Sequence, residues 1–384
     1  MAATSRWIAG FRSALVNPTE QIRLAEPRSF TDQTLRQVLH LAGGGEQLRV
    51  RLTNRYGRTP LTIGAARIAV RKSGGEIVTE TDTEVRFGGA TGVTIPAGGE
   101  LISDTVDLAV TAGTDLALSL YLPGETELAP FAQIPVESAY VTIGNHTAAV
   151  GLPDAEELTS RFYVTGVDVL NTTDAPLIVA FGDSWFEGVG STHGANRRSV
   201  DVLNERLTAG WAVNQGTGGN RLLTDEVGDH ALARFDRDVL DVPGVTHVLV
   251  NIGINDLIVA GTASVTDLIA GFTVLAQRAH AAGLPIYANT VGPFAGVIYP
   301  GLSTDTGVPV RNEINEWLRT TDIFDGVFDV ARAVEDPDNP DYIRPDLDSG
   351  DGLHLNDAGA RAMAETFDIT ALTQRSRPGV PTAA

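Results

Sequence analysis

Two hydrophobic rhythms divide the chain. From about residue 48 to residue 142 apolar positions alternate with polar or small ones, as at Leu48, Val50 and Leu52 and again at Leu116, Leu118, Leu120 and Leu122, which predicts half-buried strands. Turn signals recur between them at Gly43-Gly44-Gly45, Asn54-Arg55-Tyr56-Gly57, Ser73-Gly74-Gly75, Gly88-Gly89, Pro96-Ala97-Gly98-Gly99 and Pro123-Gly124. Many short strands without amphipathic helices between them imply an antiparallel β-sandwich of jelly-roll type. From Pro176 onward strands alternate with helical patterns, the signature of a parallel sheet wound with helices. Strands are expected at 177–181, 211–214, 246–252, 285–290 and 327–330, and helices at 200–207, 231–240, 265–282, 311–319 and 357–367. The polar stretches 151–160 and Asn171-Thr172-Thr173-Asp174 put a boundary near Asp174, giving an N-terminal domain 1–174 and an α/β domain 175–384.

A chain of 384 residues is long enough for two such domains, each with a full core. No apolar run approaches the roughly 18 residues of a membrane-spanning helix, so no integral membrane association is expected. The formal charge of −20, without a basic cluster, makes nucleic acid and anionic membrane surfaces poor partners. There is no cysteine, which excludes disulfides, thiol catalysis and thiolate metal sites. The opening residues MAATSRWIAGFRSALVN lack the apolar segment of a signal peptide, so the expectation is an intracellular protein or a secreted one whose leader has been removed. Nothing in the pattern selects an oligomeric state.

The candidate chemistry gathers at one expected sheet edge. The apolar run 177–181 stops at Gly182-Asp183-Ser184, which sets a serine at the carboxyl end of a buried strand, where ligands of open α/β sheets bind. Gly-Asp-Ser alone would serve equally as a helix cap. A serine hydroxyl needs a general base to act as a nucleophile. Of the seven histidines, His354 has a carboxylate, Asp351, three residues upstream, close enough to orient the ring; His193, nine residues after Ser184, is the rival base. Acyl transfer also needs donors for an oxyanion. The glycine-rich Asn214-Gln215-Gly216-Thr217-Gly218-Gly219-Asn220 could offer a backbone N–H, and Gly253-Ile254-Asn255-Asp256 the Asn255 amide.

Other chemistries fit less well. The glycine-rich stretch lacks the third glycine of a dinucleotide fingerprint, and a phosphate-binding loop needs a lysine that Lys72, the sole lysine, is not placed to supply. The acidic stretch with Asp336, Asp338, Asp341, Asp346 and Asp348 matches no EF-hand spacing and reads as a solvated loop rather than a calcium site.

Jointly, FGDSW (Phe181 to Trp185), GTGGN with Gly219, GIND (Gly253 to Asp256) and DGLH (Asp351 to His354) resemble the four blocks of SGNH hydrolases, also called GDSL-type lipases/acylhydrolases. RRSVDVLNERL, ALARFDRDVL, LHLNDAGARAMAE and, in the N-terminal half, FTDQTLRQVLHLAGGGEQLRVRLTNRYG and VTIPAGGELISD are similar to its two-domain branch. The resemblance implies a flavodoxin-like α/β/α catalytic domain, with Ser184 as nucleophile, His354 as base and Asp351 as its orienter. It implies an oxyanion hole of the Ser184 N–H, the Gly219 N–H and the Asn255 amide. No cofactor or metal is implied. Trp185 stands where many members have leucine, which could reshape the acyl pocket. The expected activity is hydrolysis of short-chain carboxylic esters through an acyl-enzyme. The alternatives are deacetylation of acylated glycans and carbohydrate binding without catalysis. The edge at Asn145-His146-Thr147 is expected to lean over the pocket.

Overall fold

The strand Leu177–Gly182 is buried at every position, as a continuous apolar run flanked by two further strands must be. The computed structural model describes residues 5–172, 174–258, 263–302 and 304–374. Thr173 of the expected linker, the first four residues of the chain and its last ten lie outside the described residues. Leu177–Gly182 pairs with Trp211–Gly216 on one side and His247–Asn251 on the other; Ile286–Asn289 and Gly326–Phe328 follow, all parallel. The chain-order arrangement is 2-1-3-4-5, the flavodoxin-like order, whose ligand crevice opens beside the first strand.

Helices pack on this sheet through apolar stripes of helical period. Val265–Ala281 starts at a reciprocal Ser264/Asp267 capping box and buries Leu268, Phe272, Leu275, Ala276 and Ala279. The helix expected at 311–319 begins earlier and spans Gly307–Thr320, because Pro309 falls in its first turn, where a missing N–H costs nothing. The helix expected at 231–240 changes type, with α geometry over Ala231–Phe235 and π geometry over Asp236–Leu240. No helix among the described residues is long and apolar enough to cross a membrane.

The N-terminal half is antiparallel and β-rich, and its strands begin well before residue 48. One sheet runs Arg6–Arg12, Val164–Asn171, Gln47–Thr53 and Glu100–Ile102. A second places Gln33–His40 between Ala139–Ile143 and Asp115–Leu122. Gln33–His40 escapes pattern reading because polar side chains occupy its buried positions. Arg36 is wholly buried and donates to Ser119 Oγ and to the carbonyls of Gly75, Thr147, Ala149 and Val150, while Gln37 exchanges hydrogen bonds with the Phe162 backbone. In the first sheet the buried Asp168 carboxylate is met by Arg12 at 2.5 Å, Arg49 at 2.8 Å and Arg51 at 2.9 Å. Burial alone would raise this carboxyl, but the guanidinium charges of Arg12 and Arg51 hold it below the ordinary range.

The two halves share one continuous apolar core running from Ile8 to Leu372. At the seam the Trp211 indole donates to Ala9 O at 2.6 Å and packs so closely on Gly43 that a side chain there would overlap the ring. Tyr56 reaches Asp229 at 3.0 Å, and Ala9 N bonds Pro243 O at 2.9 Å.

Candidate active site

Three adjacent strands deliver the functional loops to one edge. Gly182 lies opposite both Gly216 and Asn251, so Ser184, the 217–220 loop and the turn at Gly253 leave the sheet side by side. Asp183 caps the short helix Ser184–Glu187, its Oδ1 accepting the Trp185 N–H at 3.1 Å. The same oxygen accepts Asn251 Nδ2 at 3.1 Å, and Asn251 Oδ1 accepts Asn289 Nδ2 at 3.1 Å, a buried polar row beneath the serine. Burial, opposed by those hydrogen bonds, pushes the Asp183 carboxyl up to about 7.

Ser184 Oγ lies 3.0 Å from His354 Nε2 although the residues are 170 positions apart. On the far side of the ring, His354 Nδ1 lies 2.6 Å from Asp351 Oδ2, and Asp351 Oδ1 accepts the backbone N–H groups of Leu353 at 2.9 Å and His354 at 2.8 Å. Burial would raise the Asp351 carboxyl, but the His354 ring and those N–H groups hold it well below the usual carboxylate range. Ser184 is 4% exposed and His354 7%. His193 lies elsewhere, its Nε2 2.9 Å from Ser138 Oγ. Asp351 is not the sole carboxylate partner of a histidine, because folding also brings Asp115 to His40 at 2.6 Å and Asp325 to His280 at 2.9 Å. Of the histidines, His354 is the one hydrogen-bonded to Ser184.

The two candidate donor stretches touch each other. Asn255 Nδ2 donates to Asn220 O at 2.9 Å, which sets the amide beside Gly219. Gly219 sits at φ +73°, a conformation that disfavours any residue with a side chain, and a Cβ there would also strike Val227 at 2.8 Å. Among the described residues neither the Ser184 N–H nor the Gly219 N–H is taken up by a hydrogen bond. Asp256 accepts the N–H groups of Leu222 at 2.7 Å and Leu223 at 3.1 Å, and burial lifts its carboxyl to about 6.

Several supporting residues carry no motif. Arg234, fully buried, donates to the carbonyls of Gly182 at 2.6 Å and Gln215 at 3.0 Å and to Asn220 Oδ1 at 3.0 Å, stitching two strand ends to the donor loop. Glu187 accepts the Gly218 N–H at 2.5 Å. Tyr299 donates to Asp351 Oδ2 at 2.9 Å, and its ring lies edge-on to His354 at 6.5 Å between centroids. These hydrogen bonds join residues 14 to 52 positions apart and leave no local spacing to read; only the buried polar character of Arg234 and Glu187 inside apolar stretches hints at them.

Trp185 is buried, packs against Gly292 and donates to Leu353 O at 2.9 Å, bracing the segment that carries His354. One expectation is corrected. The Asn145–Thr147 edge folds back on its own sheet, with His146 N bonded to Thr34 Oγ1 at 2.8 Å and Asn145 Oδ1 taking the Thr147 N–H at 3.2 Å. In the N-terminal half it is Leu24 that approaches the donor loop, at Gly218, while Ile134 meets Glu187 on the helix that begins at Ser184. In the acidic stretch, Asp346 pairs with Arg344 at 2.6 Å, and Asp348 accepts the N–H groups of Gly350 and Gly352. Among the described residues no group of three or more His, Asp or Glu side chains is placed to hold a metal.

Residues 180–362 match the GDSL-like lipase/acylhydrolase family. Among solved structures the chain is similar to a Mycobacterium smegmatis aryl esterase, at 18% identity over 50% of this chain and 95% of that one, with a TM-score of 0.42. It is also similar to a carbohydrate acetylesterase from Sinorhizobium meliloti, at 15% identity over 49% of this chain and 94% of that one, with a TM-score of 0.40. A GDSL-like lipase from Bacteroides thetaiotaomicron gives 17% identity over 50% and 84%, with a TM-score of 0.39. No curated protein matches the chain.

Proposed function

We propose, from the premise that residues 180–362 form a GDSL-like lipase/acylhydrolase domain, that this hydrolase acting on esters is a serine esterase of short-chain carboxylic esters. The observation that carries the reading is the unbroken contact from Ser184 Oγ through the His354 ring to Asp351. Asp351 keeps the proton on Nδ1 and leaves Nε2 free to accept. As Ser184 Oγ bonds to the ester carbonyl carbon, its proton passes to Nε2. The carbonyl π electrons move onto oxygen, and the N–H groups of Ser184 and Gly219 receive that charge together with the Asn255 amide hydrogen not given to Asn220. The tetrahedral adduct collapses, His354 returns the proton to the departing alcohol, and water then releases the acyl group by the same route.

The test is Ser184→Ala. It should keep the thermal unfolding midpoint of the parent and remove nearly all turnover of p-nitrophenyl acetate. A variant that keeps most of the activity would end this reading.

A further inference from the structure

We propose that the N-terminal β-rich region supplies the acyl-side wall of the substrate site through Leu24, an inference that rests on the esterase reading above. The point a Cβ on Gly218 would occupy lies 3.0 Å from Leu24 Cδ1 and 3.9 Å from Ser184 Cβ. The leucine therefore stands over the loop that carries Gly219, close to the reacting hydroxyl.

Its backbone is held in place. Gln133, 3% exposed, accepts the N–H of Leu24 at 2.6 Å and that of Ala25 at 3.1 Å through the same oxygen, and the following residue, Ile134, donates to Glu187 at 3.3 Å. Yet Leu24 is 43% exposed. A branched apolar side chain fixed beside a nucleophile and left partly wet gains from any apolar ligand group that covers it.

The geometry of acyl transfer assigns the part of the ligand it covers. In the tetrahedral adduct the oxyanion faces the Gly219 and Asn255 donors, and the leaving oxygen faces His354 Nε2, from which it takes its proton. Tyr299, against the His354 ring, and Ile298, 67% exposed, stand on the leaving-group side. The remaining substituent of the adduct is the acyl chain, and Leu24, against Gly218 and beside Ser184, is the side chain assigned to meet it. The ligand class is an aliphatic ester whose acyl group, butyryl or hexanoyl, is long enough to reach past the carbonyl.

The test measures kcat/KM on p-nitrophenyl acetate, butyrate and hexanoate, and on acetate esters of several alcohols, for the parent, Leu24→Ala, Leu24→Gln and Ser184→Ala. In Leu24→Ala the hexanoate-to-acetate ratio should fall about tenfold, with the relative rates across the alcohol series unmoved. Leu24→Gln keeps the bulk but not the apolar surface and should shift the ratio the same way, so the test stands even if the alanine variant loses its fold. A ratio that holds or rises, or a change confined to the alcohol series, overturns the assignment. Ser184-dependent acetate turnover with an unmoved ratio sinks Leu24 alone; a parent inert toward every ester sinks the esterase reading and this inference with it.

Discussion

Glu187 Oε2 accepts the Gly218 N–H at 2.5 Å while its Oε1 accepts the Ile134 N–H at 3.3 Å. One carboxyl thus joins the helix that begins at Ser184, the loop that carries Gly219 and the N-terminal β-rich region. Burial pushes it up to about 7, against the pull of those N–H groups and of the Arg161 and Arg234 charges.

Replacing Glu187 by alanine strands two backbone donors, each worth roughly 1 to 3 kcal/mol when left unpaired out of water. The unfolding midpoint should drop, and with the donor loop loosened kcat should fall about tenfold at nearly constant KM. Thermal melts and steady-state kinetics on one preparation check both. A destabilised variant with the parent's kcat would show that the carboxyl holds the fold without positioning the donors.

Asp183 makes a prediction in pH. An unfolded aspartate ionises near 4, but in the folded protein this one holds its proton up to about 7. Between those values the folded state binds more protons than the unfolded state, so the contribution of Asp183 to stability is lost as pH rises. Asp183→Asn cannot lose it. Urea unfolding at several pH values should show the asparagine variant gaining on the parent by a few kcal/mol from about pH 4 to pH 7. The nearby Asp256, also raised, titrates in both proteins and largely cancels in the difference. A gap that stays constant with pH would contradict the shift.

Asn255→Ala separates stabilisation of charge from binding. If the amide serves the developing oxyanion, kcat should fall by about 100-fold or more while KM changes little. The lost bond to Asn220 O should cost only about 1 kcal/mol of stability. A raised KM with an unchanged kcat would assign Asn255 to ground-state binding instead.

The parallel sheet was readable because its strands are short, continuous apolar runs, and the Asp351–His354 pair because three residues of chain suffice to join them. Ser184 was readable from its place at the end of the first of those strands. Gln33–His40 was not, since the alternation that marks a strand disappears when an arginine and a glutamine are buried with their hydrogen bonds satisfied. Trp185 could be seen as a departure, but whether an indole faces ligand or braces a neighbour depends on Leu353, 168 positions away. Glu187, Arg234 and Leu24 belong to the same class. Their partners are set by the docking of one sheet system on another, which no local period encodes.

The indole of Trp211 belongs to the first flanking strand of the parallel sheet yet finds both its hydrogen-bond acceptor and its packing surface in the opposite half of the chain. The two architectures are therefore not interchangeable cassettes. The α/β half of this chain, taken without its companion, would expose the Trp211 indole and the flank that Ala9 and Gly43 now cover.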